Sequence, residues 1–445
     1  ATELYLHCQK ECYDVVLRHH CRYPYFNTGV HYTMKKQKIT SVFLALGLFA
    51  SLLFQVPISA EEADQSAAVE ASGTISTNSI SGWPQASDIS SEAAVVMENT
   101  TNTILYSKNA DEVLFPGSTV KIMTCFLALE NTQLTDEVTM TATGVSGVTD
   151  GGASISSQVD EVFTVEQCLY AIMVASANDI ALQIAEHVGG SVDGFVQQMN
   201  TRAQELGCTN TVFTNPTGLP DDNQHTTAHD MALIMQAAIQ NESFRTIAAA
   251  TSYTIPATNK AAARNLTSKF TMTDTGSTGF YEGCIGGKEG YTEASGSTLV
   301  CAAQRNGMTL ISVVLKGASG QTAPDAASIL NYGFDQFVTL SLGDSDFSII
   351  SGGDVVVPAG TGADSLTTED SQNGDQIDRT YLFNGTSVGS AVLEVVQSDD
   401  TASVQEGQQH MQAAKDYSDN HTEIPYFVIA GVFLLLLILL IWRIV

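Results

Sequence analysis

Ser118 and Lys121 are the side chains of this sequence whose types and spacing best suit nucleophilic chemistry. The preceding Pro116 and Gly117 indicate a turn, and apolar residues recur at helical spacing over 122–129, so a helix is predicted to begin near Ser118. Lys121 then lies one helical turn away on the same side, where its amine can contact the hydroxyl. A serine alone is a weak nucleophile, but a lysine that loses its proton in a cleft can act as its base. The pair therefore predicts covalent catalysis at Ser118.

Ser176 and Asn178 are a second polar pair, at the junction of two predicted helices. A capping box over 164–167 begins the first helix, and two glycines at 189–190 end the second. The Ser-x-Asn pattern recurs elsewhere in the chain and carries little information by itself. Its place downstream of Ser118, with a helix on each side, predicts that both side chains face a cleft.

Lys288 lies in the first of three predicted strands, which cover 281–292, 297–304 and 309–316. Their short turns indicate an antiparallel meander. Glycines flank the lysine, with Gly290 two residues later, so another backbone can approach this strand closely. A peptide ligand could pair along the strand, and Lys288 could hold a carboxylate or tune neighbouring hydroxyls.

Composition narrows the class of function. The chain has 445 residues, enough for two domains with appendages, and a formal net charge of −29. This charge argues against nucleic acid as a partner, because phosphate binding needs clustered lysine and arginine. The cysteines downstream of residue 60 are odd in number and widely spaced, which predicts buried thiols rather than a disulfide framework.

Neither a metal nor an organic cofactor is expected. His225 and His229 have no third ligand at a recognisable spacing, so we interpret them as solvated or capping residues. The N-terminal cysteines and histidines could form a metal cluster, which is the less favoured interpretation of that segment.

Two apolar segments predict how the chain meets a membrane. Residues 34–60 have the basic start, apolar run and small residues of a secretory signal cleaved after Ala60, although the run is also long enough for an uncleaved anchor. Residues 424–445 can cross about 30 Å of hydrocarbon and end in Arg443 on the expected cytoplasmic side. Everything between them is expected to be extracytoplasmic, and residues 1–33 are interpreted as an extension from a gene start placed too early.

Between these ends the sequence predicts four parts. Residues 61–92 are rich in Ala, Ser and Thr and are interpreted as a flexible spacer. Residues 93–340 form the main domain, beginning with a β-hairpin. Residues 341–397 are predicted to form a small β domain, and 398–423 a polar stalk.

The motifs Ser118-x-x-Lys121, Ser176-x-Asn178 and Lys288-x-Gly290 occur in this order across about 170 residues. Together with the loop over 215–220, they resemble the D-alanyl-D-alanine carboxypeptidases, the low-molecular-mass penicillin-binding proteins. The resemblance covers roughly 93–337. It implies an α/β (α+β) fold in which helices flank an antiparallel sheet beside an all-helical lobe, with the active site in the groove between them.

The resemblance also implies roles for these residues. Ser118 would attack the D-Ala-D-Ala peptide bond of peptidoglycan stem peptides, Lys121 would accept its proton, and β-lactams would acylate the same serine. Ser176 and Lys288 would pass a proton to the leaving amine, and Asn178 would hold the donor peptide. Glu289, Gly290 and Tyr291 would bind substrate, the backbone N–H groups of Ser118 and Tyr291 stabilising the oxyanion.

Two departures from the family pattern affect recognition of the substrate's terminal carboxylate. Glu289 stands where the family usually has threonine, and no arginine follows the third strand, where the sequence runs Lys-Gly-Ala-Ser-Gly over 316–320. A carboxylate beside a carboxylate is unfavourable when both are desolvated. Glu289 motivates one alternative to an active carboxypeptidase, a catalytically impaired protein that binds peptidoglycan as a scaffold. A β-lactamase is a separate and less favoured alternative, for which no E-x-x-L-N pattern is present.

Overall fold

The computed structural model describes residues 74–148, 152–344 and 347–395. Over these ranges the strands, in chain order, are β1 (Ala93–Glu98), β2 (Ile104–Lys108), β3 (Glu137–Thr139), β4 (Val162–Thr164), β5 (Ser252–Ile255), β6 (Arg264–Thr267), β7 (Cys284–Thr292), β8 (Gly296–Arg305), β9 (Met308–Gly317), β10 (Phe337–Ser341), β11 (Phe347–Pro358), β12 (Thr367–Asn373), β13 (Gln376–Phe383) and β14 (Thr386–Val395). The α-helices are α1 (Lys121–Asn131), α2 (Ala142–Ser146), α3 (Val165–Val174), α4 (Asn178–Gly189), α5 (Val192–Glu205), α6 (Ala228–Ala238), α7 (Glu242–Ala248) and α8 (Thr322–Gln336).

The sheet that carries the site has the strand order β2-β1-β9-β8-β7 and is antiparallel throughout. The predicted N-terminal hairpin and the predicted three-strand meander are both confirmed. They join through β1 and β9, where Ala93 pairs with Leu315. Strands β1 and β9, the first and the last of this sheet in the sequence, are therefore neighbours in it.

Each face of this sheet buries a different core, because alternate side chains of a strand point to opposite faces. Val95 and Met97 of β1 join a core shared with α1, α3, α4 and α6. Ala94 and Val96 join a second core, shared with α8 and with the other large sheet. The mixed architecture of antiparallel sheet and flanking helices is the predicted one.

Local signals fix the helices that border the site. Thr164 Oγ1 accepts a hydrogen bond from the backbone N–H of Gln167 at 3.2 Å, and Gln167 Oε1 accepts one from the N–H of Thr164, so the predicted capping box is confirmed. Helix α4 ends at Gly190, which adopts a left-handed conformation with φ of 71°. Glycine favours this geometry at a helix end because it has no Cβ.

The second large sheet has the order β10-β11-β14-β13-β12 and confirms β structure in the predicted small β domain. Its first strand, Phe337–Ser341, begins just before the predicted boundary at residue 341 and pairs with β11. The buried Trp83 packs its ring 5.0 Å from that of Phe337 and 6.1 Å from that of Phe383. Its indole N–H donates to the carbonyl of Leu105 at 3.0 Å.

The prediction of a flexible spacer over 61–92 is wrong for its described part, residues 74–92. Trp83 and Ile89 are buried there, and Ser91 Oγ donates to the carboxylate of Asp325 at 2.7 Å. A few apolar anchors hold a segment whose composition is otherwise that of a linker.

The predicted extension, signal, stalk and C-terminal membrane helix lie outside the described residues. Among the helices that the structure does describe, none combines the length and the apolarity needed to cross a bilayer.

Candidate active site

Ser118 lies on a short 3₁₀ turn, Gly117–Val120, that leads directly into α1 at Lys121. Gly117 has a φ of 57°, and a Cβ at this position would lie 2.9 Å from Ser295 Oγ. The turn therefore needs glycine both for its conformation and for its contact with the sheet. The predicted turn and helix are confirmed, with Ser118 half-buried and one residue into the turn.

Lys121 is completely buried and its Nζ contacts three oxygens. It lies 3.3 Å from Ser118 Oγ, and it donates to Asn178 Oδ1 at 2.7 Å and to the backbone carbonyl of Thr217. Burial, helped by the positive charge of Lys288, holds the pKa of Lys121 well below its usual range. A neutral amine has two N–H groups, which match the two carbonyl acceptors, and its lone pair then faces Ser118.

Asn178 and Ser176 lie at the junction of α3 and α4, as predicted. Ser176 is half-buried with a φ of 57°, which turns the chain between the two helices. The backbone N–H of Asn178 donates to the carbonyl of Ala153 at 2.7 Å. Because its Oδ1 accepts from Lys121, its amide NH₂ remains for a ligand, and no hydrogen bond between described residues uses it.

The segment before this junction is held by Asp179, which is 2% exposed. Its carboxylate accepts hydrogen bonds from Ser154 Oγ at 2.7 Å and from the N–H and Oγ of Ser157 at 3.1 and 2.8 Å. One buried carboxylate thus fixes the loop whose Ala153 contacts Asn178.

The loop over 215–220 packs against the nucleophile turn. Asn215 Oδ1 accepts from the backbone N–H groups of Thr217 and Gly218 at 3.1 and 2.9 Å. Gly218 has a φ of 81°, and a Cβ there would lie 1.9 Å from the carbonyl oxygen of Gly117. This loop positions the Thr217 carbonyl to accept a hydrogen bond from Lys121, a contact that the sequence did not predict.

Strand β7 approaches Ser118 as its glycines suggested. A Cβ on Gly290 would lie 2.5 Å from the backbone nitrogen of Ser118. From β8, Thr298 Oγ1 donates to the carbonyl of Pro116 at 3.1 Å and contacts the carbonyl of Gly290 at 3.3 Å. Thr298, which sequence reasoning missed, therefore fixes the strand to the turn.

Lys288 on β7 is 4% exposed, and its Nζ donates to the backbone carbonyl of Glu289 at 2.7 Å. Burial lowers its pKa to about 8, against the opposing charge of Glu289. Burial also raises the pKa of Glu289, while Lys288 and Lys269 act in the opposite direction.

A cavity of about 930 Å³ unites these groups. Seven of the eight residues predicted for the site line it, and the eighth, Lys121, contacts it through Ser118 and Asn178: the lining seven are Ser118, Ser176, Asn178, Lys288, Glu289, Gly290 and Tyr291. Tyr291 is 68% exposed at the rim. The arrangement places a serine, a buried lysine with a lowered pKa and a second lysine around one space, which suits acyl transfer.

The two histidines considered as ligands are not part of this cavity. His229 Nδ1 lies 3.3 Å from Asp111 Oδ1, and His225 Nδ1 lies 2.9 Å from the carbonyl of Asn223. Across 74–148, 152–344 and 347–395, no group of three or more His, Cys, Asp or Glu side chains could hold a metal ion. The five cysteines in these ranges are free thiols, four of them buried.

Comparison with known proteins identifies the family. Residues 81–319 match the family described as D-alanyl-D-alanine carboxypeptidase, Peptidase S11. This chain belongs to that family. Its members are serine peptidases, so the resemblance based on the three motifs is confirmed at the level of the family.

Two curated members of the carboxypeptidase family illustrate the similarity. The chain is 35% identical over 257 residues to the D-alanyl-D-alanine carboxypeptidase DacF of Bacillus subtilis (strain 168), covering 56% of this chain and 63% of that protein. It is 33% identical over 256 residues to the D-alanyl-D-alanine carboxypeptidase of Streptomyces sp. (strain K15), covering 55% of this chain and 88% of that protein. The chain thus spans slightly less than two thirds of the Bacillus relative and most of the Streptomyces one.

Solved structures show the same fold. The Streptomyces K15 DD-transpeptidase is 31% identical, with a TM-score of 0.53, and covers 57% of this chain and 100% of its own. The carboxypeptidase DacD from Francisella tularensis is 21% identical, with a TM-score of 0.58, and its similarity shows the fold alone. The match covers 71% of this chain and 95% of that protein.

Proposed function

We propose that this protein is a serine D-Ala-D-Ala carboxypeptidase that removes the terminal D-Ala from peptidoglycan stem peptides. The observation that carries the proposal is the buried Lys121 amine, which lies 3.3 Å from Ser118 Oγ with its other two contacts to carbonyl acceptors. Membership of the carboxypeptidase family supports the substrate.

Acylation begins when Ser118 Oγ attacks the carbonyl carbon of the D-Ala-D-Ala bond. The hydroxyl proton passes to the neutral Lys121 amine as the C–O bond forms, giving a tetrahedral intermediate. Backbone N–H groups of Ser118 and Tyr291 stabilise the oxyanion, at about 3 kcal/mol per donor in related sites.

The leaving amine needs a proton when the C–N bond breaks. Lys288 and Ser176 line the cavity and supply this proton, and D-Ala departs with an intact amine. Water then hydrolyses the Ser118 ester and releases the shortened peptide. The amide NH₂ of Asn178 holds the donor peptide through a carbonyl during both steps.

β-Lactams are expected to acylate Ser118 through the same groups, because their strained amide presents an equivalent carbonyl. We further propose that the catalytic part acts outside the cytoplasmic membrane, tethered by residues 424–445. That localisation rests on the sequence of the two apolar segments.

The deciding experiment treats the full chain with benzylpenicillin and maps the adduct by mass spectrometry. In parallel, D-Ala release from a pentapeptide ending in D-Ala-D-Ala is measured. We expect an adduct on Ser118 and D-Ala release, both lost in Ser118→Ala and kept in Ser351→Ala, an exposed serine of β11.

A protein that forms the adduct but releases no D-Ala above the Ser118→Ala background would instead be the impaired, peptide-binding homologue. Glu289, which lines the cavity, is the observation that favours this second candidate. Rescue of release by Glu289→Thr would locate the defect at that residue.

A further inference from the structure

Three charged side chains share one end of the cavity: Lys269, Lys288 and Glu289. Lys288 is almost fully buried and already donates to the carbonyl of Glu289. Lys269 is exposed, and its positive charge acts on both of the others. Within the described ranges, no hydrogen bond or ion pair shorter than 4 Å occupies its ammonium, so it is available to a ligand.

Lys269 stands on a segment that is fixed against the sheet. Its neighbour Phe270 is 3% exposed, and a Cβ on Gly287 of β7 would lie 2.6 Å from the Phe270 ring. On the other side, the N–H of Ser268 donates to the carbonyl of Thr251 at 2.8 Å. Anchors on both sides therefore hold the segment that carries Lys269, and Phe270 contacts β7 at Gly287, the residue before Lys288.

Two other positions beside the cavity, after β9 and after Lys288 on β7, offer no free cation among the described residues. After β9, Ser319 and Gly320 line the cavity, while the nearby Lys316 lies 2.8 Å from Glu92 in an ion pair. On β7 itself, the position after Lys288 carries the acidic Glu289. A ligand carboxylate at this end of the cavity would be repelled there and attracted by Lys269.

We propose that Lys269 binds the terminal carboxylate of the substrate and that Glu289 weakens this binding. The inference rests on the proposed function for the identity of the ligand, a peptide ending in a free D-Ala carboxylate. Lys269 is then a specificity-determining residue rather than a catalytic one, because it touches the substrate away from the reacting carbonyl.

The test measures binding without turnover, in the full chain carrying Ser118→Ala. Calorimetry compares an N-acylated tripeptide ending in D-Ala-D-Ala with its C-terminal amide. We expect the carboxylate to bind about two- to fivefold more tightly than the amide, the range for a solvent-accessible charge pair. Lys269→Ala should abolish this preference, Lys269→Arg should keep it, and Glu289→Gln should increase it.

Lys260→Ala provides the matched control, since Lys260 is another accessible lysine of the β5–β6 region and does not line the cavity. A carboxylate preference that survives Lys269→Ala would overturn the inference, and so would the absence of any preference in the Ser118→Ala protein. The penicillin adduct on Ser118 is measured independently. If the adduct forms but the carboxylate preference does not depend on Lys269, only this inference is refuted. If the preference depends on Lys269 but no adduct forms, only the catalytic proposal is refuted.

Discussion

At the scale of single residues, the site depends on two buried lysines whose pKa values are both lowered. Burial lowers the pKa of both lysines: that of Lys121 lies well below its usual range, helped by the charge of Lys288, and that of Lys288 is lowered to about 8. The spacing of Ser118 and Lys121 was predictable because it is local to one turn. The Thr217 carbonyl that orients Lys121 lies 96 residues away in sequence, and no local pattern indicates it.

The first prediction concerns pH. Acylation by penicillin needs neutral Lys121 and, in our proposal, protonated Lys288. Because the pKa of Lys288 is lowered to about 8, the acylation rate should fall as the pH rises through that value. Stopped-flow acylation rates from pH 6 to 10 test this. Lys288→Arg, which stays charged, should retain whatever rate it has up to pH 10; an unchanged alkaline fall in that variant would contradict the assignment.

The second prediction concerns Gly290. A Cβ there would lie 2.5 Å from the backbone of Ser118, so Gly290→Ala must displace the strand or the nucleophile turn. We expect about a 100-fold slower acylation, since displacements near 1 Å have effects of that size. Gly343→Ala, where a Cβ meets nothing within 4 Å, is the control and should acylate at the rate of the unmodified chain. Equal rates for both variants would show that the contact is unimportant.

At the scale of elements, helices with strong local signals were predicted and those held by long-range contacts were missed. The capping box of α3 and the glycine that ends α4 each depend on residues close together in sequence, so both could be predicted. Helix α8 and the β5–β6 hairpin were not predicted. Helix α8 contains glycine and asparagine among its apolar residues and is fixed by packing Ile329 and Leu330 under the sheet. The hairpin is short and mostly polar on its exposed face.

The third prediction concerns the loop fixed by Asp179. Asp179→Ala removes the acceptor for the buried N–H and hydroxyl of Ser157. We expect a loss of about 3 kcal/mol in the free energy of unfolding, as for other buried groups left without partners. Acylation should slow as well, because Ala153 no longer holds Asn178 in place.

Chemical denaturation and penicillin acylation measure the two effects. The comparison variant is Asp193→Ala, an exposed acid in the first turn of α5, for which a loss below about 1 kcal/mol is expected. Similar losses in both variants would argue against a special role for Asp179.

At the scale of the whole molecule, Trp83 links the two large sheets through Leu105 on one side and Phe337 and Phe383 on the other. The sequence indicated both sheets but not this connection, because a lone tryptophan in a serine-rich segment gives no periodic signal. Its packing turns a predicted spacer into part of the core.

The fourth prediction follows from that packing. Trp83→Ala should lower the free energy of unfolding by about 3 to 5 kcal/mol, the usual cost of deleting a large buried aromatic side chain. Trp83→Phe, which loses the hydrogen bond but keeps most of the ring, should lose clearly less. Urea unfolding followed by circular dichroism measures both. A loss below 1 kcal/mol for the alanine variant would mean that the sheets hold together without this residue.

The pairing of β1 with β9 has a consequence for how the molecule is made. Strand β1 can pair with β9 only after Leu315, the partner of Ala93, has been synthesised, and pairings between residues so distant in sequence slow folding. The nascent chain will therefore emerge with its nucleophile turn already synthesised but without the strand that completes its surroundings. Nascent chains halted before residue 308 should therefore be unable to capture penicillin, and a complete chain should gain that ability only late in its folding.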